Sequence, residues 1–155
     1  MFSHAQRHNP VAAPAAAPVA APVPRSAPRN TSQTILVVGD SLSAEYGLKR
    51  GSGWVALLER NLKTEKVSAS VVNASISGDT TSGGRSRLGA LLTQHRPTHV
   101  IIELGGNDAL RGLPLALSEE NLSQMTRAAQ KAGAKVLLVG MQVPLAGQLR
   151  STVGA

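Results

Sequence analysis

"TILVVGDSLS", residues 34–43, decides how the rest of the chain is read. An apolar, β-branched run stops abruptly at Gly39-Asp40-Ser41, the pattern of a buried parallel strand that must turn at once. A serine at such a turn has two readings. It caps the next helix, or it is a nucleophile held out at the end of a sheet. The two differ in what the other strand ends must carry.

Outward from this stretch the pattern alternates. "GWVALLERNLK" (53–63) spaces Trp54, Leu57, Leu58 and Leu62 as one helical face. "VSASVVNAS" (67–75) is Val-rich and near-alternating, a second strand. "SRLGALLTQH" (86–95) places Leu88, Leu91 and Leu92 on a helical face, with Pro97 beyond its end. "THVIIELGG" (98–106) is the third strand, and Ser118 is expected to cap a helix that Gly133 closes. "AKVLLVGMQV" (134–143) is the fourth strand. Four strands alternating with three helices predict a parallel sheet in α/β layers. Right-handed crossovers then put helices on both faces. Ligands in such folds gather outside the carboxyl ends of the strands.

Those ends carry chemistry-bearing residues in all three cases. The first is "GDSLS" (39–43), the second "NASISGDT" (73–80), the third "LGGNDALRG" (104–112). Acyl transfer needs a nucleophilic hydroxyl and N–H donors aimed at a developing oxyanion. Ser41 Oγ is the candidate nucleophile; the Ser41 N–H, the Gly78 N–H and the Asn107 side-chain amide are the candidate donors. Glycine at 78 lets the backbone approach a substrate without a Cβ in the way. A neutral amide at 107 suits an oxyanion that a carboxylate would repel. Each motif alone reads as an ordinary turn, with Asx hydrogen bonding in "GGND". Three unrelated turns have no reason to supply serine, glycine and asparagine in this order on successive strand ends.

Residues 39–43, 73–80 and "IIELGGND" (101–108) resemble the first three sequence blocks of the SGNH (GDSL) hydrolases. The resemblance is nearest to the bacterial multifunctional acyl-CoA thioesterase/lysophospholipase/arylesterase group. "GWVALLE" (53–59), "LRG" (110–112) and "LLVGMQVP" (137–144) fit that group too, so the resemblance runs from about residue 33 to 144. It implies a flavodoxin-like three-layer α/β/α fold and hydrolysis of esters and thioesters through an acyl-serine intermediate. Ser41 matches the family's nucleophile, and Gly78 and Asn107 match its oxyanion donors. Asp40 belongs to the first block, with no proton-transfer role assigned. A periplasmic or secreted location is also implied by the family.

Two features depart from the pattern. The family's general base is a histidine in an Asp-x-x-His block, and the 155 residues contain no such block. His95 and His99 flank Pro97 at the amino end of the third strand, opposite Ser41; His4 and His8 lie in the Ala/Pro-rich start. After Pro144 the sequence reads "LAGQLRSTVGA", unlike the family's continuation. The expectation is a truncated or frame-shifted product without the last strand, the last helices and the Asp/His pair. Its turnover should be weak or absent, and the fourth strand should expose an apolar flank.

Composition bounds the remaining possibilities. Residues 1–32 form an Ala/Pro-rich tail expected to be disordered, with nine Ala and six Pro in the first 30 residues. Residues 33–144 form the hydrolase core, and 145–155 an aberrant segment. "VAAPAAAPVAAPV" makes a poor signal peptide, being Pro-broken and preceded by no clear basic region. The formal charge is +7, but only 13 basic against 9 acidic residues follow residue 30, and no basic run interleaves with aromatics. Nucleic acid is therefore not an expected partner. Mild basicity suits anionic substrates such as acyl-CoA or phospholipid. No apolar stretch approaches the ~20 residues that span a bilayer. With no cysteine and no metal-ligand spacing, neither metal nor organic cofactor is called for.

The expected partner is thus a small acyl ester or thioester. "LRGLPLAL" (110–117), apolar and beside Asn107, is either a flexible wall for the acyl chain or a plain loop. The competing class is a non-catalytic flavodoxin-like module that binds phosphate at "SGDTTSGG" (77–84). That stretch lacks the Lys of a Walker loop and the spacing of a dinucleotide fingerprint.

Overall fold

The structure, a computed structural model, describes residues 32–141. The Ala/Pro-rich start and the segment beyond Met141, with His4, His8 and residues 145–155, lie outside the described residues. Four parallel strands form one sheet: β1 (Gln33–Gly39), β2 (Ala69–Asn73), β3 (His99–Glu103) and β4 (Lys135–Leu138), in the order β2-β1-β3-β4. β1 is central because its run can be buried on both faces; Leu36, Val37 and Val38 are fully buried.

Strand alternation divides the core in two. Leu36, Val38, Val100 and Ile102 face Leu88 and Leu92 of α2 (Thr81–His95) and Met125 and Ala129 of a long fourth helix, α4 (Leu115–Lys131). Ile35, Val37 and Ile101 face Val55 of α1 (Trp54–Thr64), with Trp54, Leu58 and Leu62 packed alongside. Helices therefore cover both faces, and the three-layer α/β arrangement expected from the alternation is found. α2 sits close to the sheet: a Cβ at Gly84 would lie 2.3 Å from Leu104 Cδ1.

Several local expectations are corrected. A short helix, α3 (Gly106–Leu110), lies between β3 and α4, so four helices rather than three occur among the described residues. Helix α2 begins at Thr81, not 86; its glycine-rich first turn is held by the Thr80 hydroxyl, which accepts from Gly83 N. Ser118 is not a cap. α4 starts at Leu115 behind Pro114, and Ser118 is buried within its first turns. Proline's fixed φ suits a helix start better than the serine further on. Leu57 is 53% exposed, and Val55 takes the buried place on α1. The strands are also shorter than their apolar runs.

Helix ends behave as read. Gly133 follows α4 at φ +89, and Pro97 follows α2. β4 stands at the edge of the described sheet, with Leu137 and Leu138 56% and 49% exposed.

Candidate active site

The register of the sheet brings three loops to one rim. Val37 pairs with Asn73, and Gly39 with Glu103, so β1, β2 and β3 finish at similar heights. After β1 the chain turns about Asp40, whose carbonyl accepts from Ser43 N (3.2 Å) and Ala44 N (2.9 Å) and whose Oδ1 accepts from Leu42 N (3.0 Å). Ser41 sits half-buried at the apex of this turn.

The loop after β2 runs along the same edge: Ala74 N donates to Val37 O and Ile76 N to Gly39 O. Gly78 lies in it at φ +80, exposed. A Cβ there would meet only Arg111 Nη2, at 3.8 Å. The positive φ gives a second reason for glycine at 78, a backbone conformation that other residues rarely adopt. After β3, Gly105 (φ +121) starts α3, whose first turn carries Asn107.

Asn107 joins the three loops. Its Nδ2 donates to Asp40 Oδ2 (3.1 Å) and to the carbonyl of Asp79 (2.9 Å), one residue past Gly78. The structure therefore gathers the Ser41, Gly78 and Asn107 segments at one place, and leaves both described histidines out. His95 closes α2 and His99 opens β3, at the opposite end of the strands.

Charged residues that sequence reasoning does not assign build the support. Asp79 Oδ2 pairs with Arg87 at 2.8 Å, and a second guanidinium N–H of Arg87 reaches Ala74 O, stapling the β2 loop to α2. Arg111 Nη2 donates to Gly78 O at 2.8 Å, tying α3 to the same loop. Beneath Asn107, the buried Asp108 accepts from Thr81 N (2.9 Å), Thr81 Oγ1 (2.5 Å) and Ser118 Oγ (3.1 Å). Beneath Ser41, the buried Glu103 Oε2 accepts from Ser43 Oγ (2.7 Å), which in turn accepts from Trp54 Nε1 (3.0 Å). Burial pushes the Glu103 carboxyl up from its ordinary range, with the Asp40 charge adding to it and the Ser43 hydroxyl opposing. The available signal is an acid in the apolar run "VIIELGG"; a carboxylate there must be paired or functional.

The phosphate-loop alternative for 77–84 fits poorly. The Asp79 carboxylate lies at the start of α2, accepting from Thr80 N, where a phosphate would have to sit. Two apolar clefts adjoin the rim instead. One of about 640 Å³ is lined by Leu104, Gly105, Ala109, Leu113 and Leu115 among others. The stretch 110–117 thus becomes part wall and part helix, since Leu115 opens α4. A smaller cleft of about 280 Å³ is lined by Leu42, Trp54, Glu103, Val139, Gly140 and Met141. Among the described residues no group of three His, Cys, Asp or Glu is placed to hold a metal, and no helix is long and apolar enough to cross a membrane.

Residues 37–153 match the model of the GDSL-like Lipase/Acylhydrolase family, and the chain belongs to that family. The match reaches past Pro144, where the resemblance read from the sequence stops. Esterase TesA of Pseudomonas aeruginosa is 56% identical over 113 residues, covering 73% of this chain and 56% of that protein. Thioesterase 1/protease 1/lysophospholipase L1 of Escherichia coli K12 is 45% identical, over 73% of this chain and 53% of its own length. The chain thus spans little more than half of these curated relatives. A crystal structure of the psychrotrophic esterase EstA from Pseudoalteromonas sp., inhibited by monoethylphosphonate, superposes with a TM-score of 0.71 at 45% identity. It covers 76% of this chain and 64% of that one.

Proposed function

We propose that this chain carries the acyl-binding and nucleophile-bearing part of a serine hydrolase of carboxylic esters and thioesters. The observation that carries this reading is the Asn107 amide, bonded to Asp40 Oδ2 beside Ser41 and to Asp79 O beside Gly78. It ties together the segments that carry Ser41 and Gly78, which supports a shared site for a hydroxyl and N–H donors. Ser41 Oγ attacks the acyl carbonyl, and the Ser41 and Gly78 N–H groups with the Asn107 amide hold the oxygen as it gains charge. Both Asn107 Nδ2 hydrogens are engaged in the free chain. Collapse of the tetrahedral adduct expels the alcohol or thiol and leaves acyl-Ser41, which water hydrolyses.

Efficient turnover requires a base to take the Ser41 proton, and among the described residues the rim offers no histidine. A triad lacking one member keeps only ~10³–10⁴-fold acceleration over water. For these 155 residues the expectation is slow covalent capture with little turnover. The names of the relatives, esterase and thioesterase/lysophospholipase, support an acyl ester or thioester as substrate. Inhibition of EstA by monoethylphosphonate suggests a phosphonate as the probe.

Incubation with a fluorophosphonate should label Ser41, and Ser41→Ala should abolish the labelling. Labelling that persists in Ser41→Ala sinks the assignment of the nucleophile. Sustained p-nitrophenyl ester turnover that depends on Ser41 would instead overturn the expectation of a weak catalyst.

A further inference from the structure

Glu103 is the last residue of β3, 3% exposed, and pairs in register with Gly39. The space between them is full: a Cβ on Gly39 would lie 2.6 Å from Ser43 Oγ and 2.9 Å from Glu103 Oε2. A chain of hydrogen bonds runs from the Trp54 indole to the Ser43 hydroxyl to Glu103 Oε2. Ser43 is also fixed through its backbone. Its N–H donates to Asp40 O, and its carbonyl accepts from Asn73 Nδ2 at 2.8 Å. The remaining carboxyl oxygen, Oε1, is buried without a partner.

We propose that Glu103 is a positioning residue that sets the Gly39–Ser43 turn, and with it Ser41 and the Asp40–Asn107 contact. The inference rests on Ser41 being the nucleophile. Its physical basis is the environment. An ionised carboxylate of this burial needs several donors; Glu103 has the Ser43 hydroxyl, with a weaker contribution from the Asp40 backbone. The other residues around its cleft are Leu42, Trp54, Val139, Gly140 and Met141, none of them chargeable. Asp40 is the titratable group that faces it among the described residues, and it is acidic. Ionising Glu103 would therefore set two carboxylates against each other under the turn. The one displaced, Asp40, is the one that holds Leu42 N and Asn107 Nδ2.

Trp54 is the sole tryptophan of the chain, so its fluorescence reports on this hydrogen-bond chain without interference. A pH titration of the 155-residue protein should show an inflection above the ordinary carboxylate value of 4.5. Glu103→Gln, which keeps an acceptor for Ser43 and adds an N–H, should remove the inflection; Ser43→Ala, which cuts the link, should silence it in a second way. Fluorophosphonate capture at Ser41 supplies the functional readout. Relative to Glu103→Gln, the parent should lose roughly tenfold in capture rate above that inflection and match the variant below it, since small displacements of a reacting group cost rates of this order.

An inflection that persists in Glu103→Gln, or identical capture profiles in parent and variant, overturns the inference. Absence of capture in both proteins overturns the expected reactivity of Ser41 in this chain, while the fluorescence inflection still decides whether Glu103 sets the turn.

Discussion

Two buried acids lie five residues apart around the end of β3, and they are treated in opposite ways. Asp108 is saturated: a backbone N–H and two hydroxyls converge on it from α2 and α4. The network extends through Asn121 Nδ2 to Thr81 Oγ1 and from Arg85 to Asn121 Oδ1. Glu103 receives one hydroxyl, keeps an unpartnered oxygen and faces another acid. Equal burial thus produces a rigid anchor for α3 in one case and a titratable support for the β1 turn in the other. The number of donors each acid receives makes the difference.

The largest effect is expected at Asp108. Asp108→Ala strips the partner from the buried Thr81 N–H, and should cost about 3 kcal/mol, read as a lower denaturant midpoint. A loss below about 1 kcal/mol would show that the network is replaceable by water. Glu103→Gln should act through pH rather than through a fixed loss. A carboxyl raised in the folded state favours the protonated form, so its contribution is complete below pH 4.5 and fades as pH rises through the folded value. The parent should therefore lose stability over that window relative to Glu103→Gln, with a slope of at most about 1.4 kcal/mol per pH unit. Denaturation at several pH values checks the sign, and parallel profiles would remove the contrast. Ser118→Ala removes one of three donors from Asp108, leaving the Thr81 pair in place. The expected loss is about 1 kcal/mol in the same assay.

Much of this is legible in the residues. Val37 and Val38 before Gly39 declare a buried strand, and the alternation behind them implies a parallel sheet with its ends at one rim. Ser41, Gly78 and Asn107 can be picked out because each stands where a strand must end. The supports cannot. Asp40, Asp79, Arg87, Glu103 and Asp108 are ordinary charged residues in sequence, and their meaning depends on partners 60, 8 or 27 positions away. The start of α2 escapes a local reading because Ser82-Gly83-Gly84 has poor helix propensity; Thr81, held by Asp108, supplies the fixed first turn that propensity does not. Ser118 misleads because local spacing cannot tell a cap from a buried hydroxyl committed to Asp108.

The spacing of apolar residues was enough to read the four strands and the three long helices, since it sets the faces that must be covered, though not the short α3 or the starts of α2 and α4. The sequence also named the hydroxyl, the glycine and the amide that acyl chemistry would require. Only the tertiary structure decided how many hydrogen-bond donors reach each buried acid. That count depends on register and packing between distant segments, and it separates Asp108, an anchor, from Glu103, a group poised to titrate.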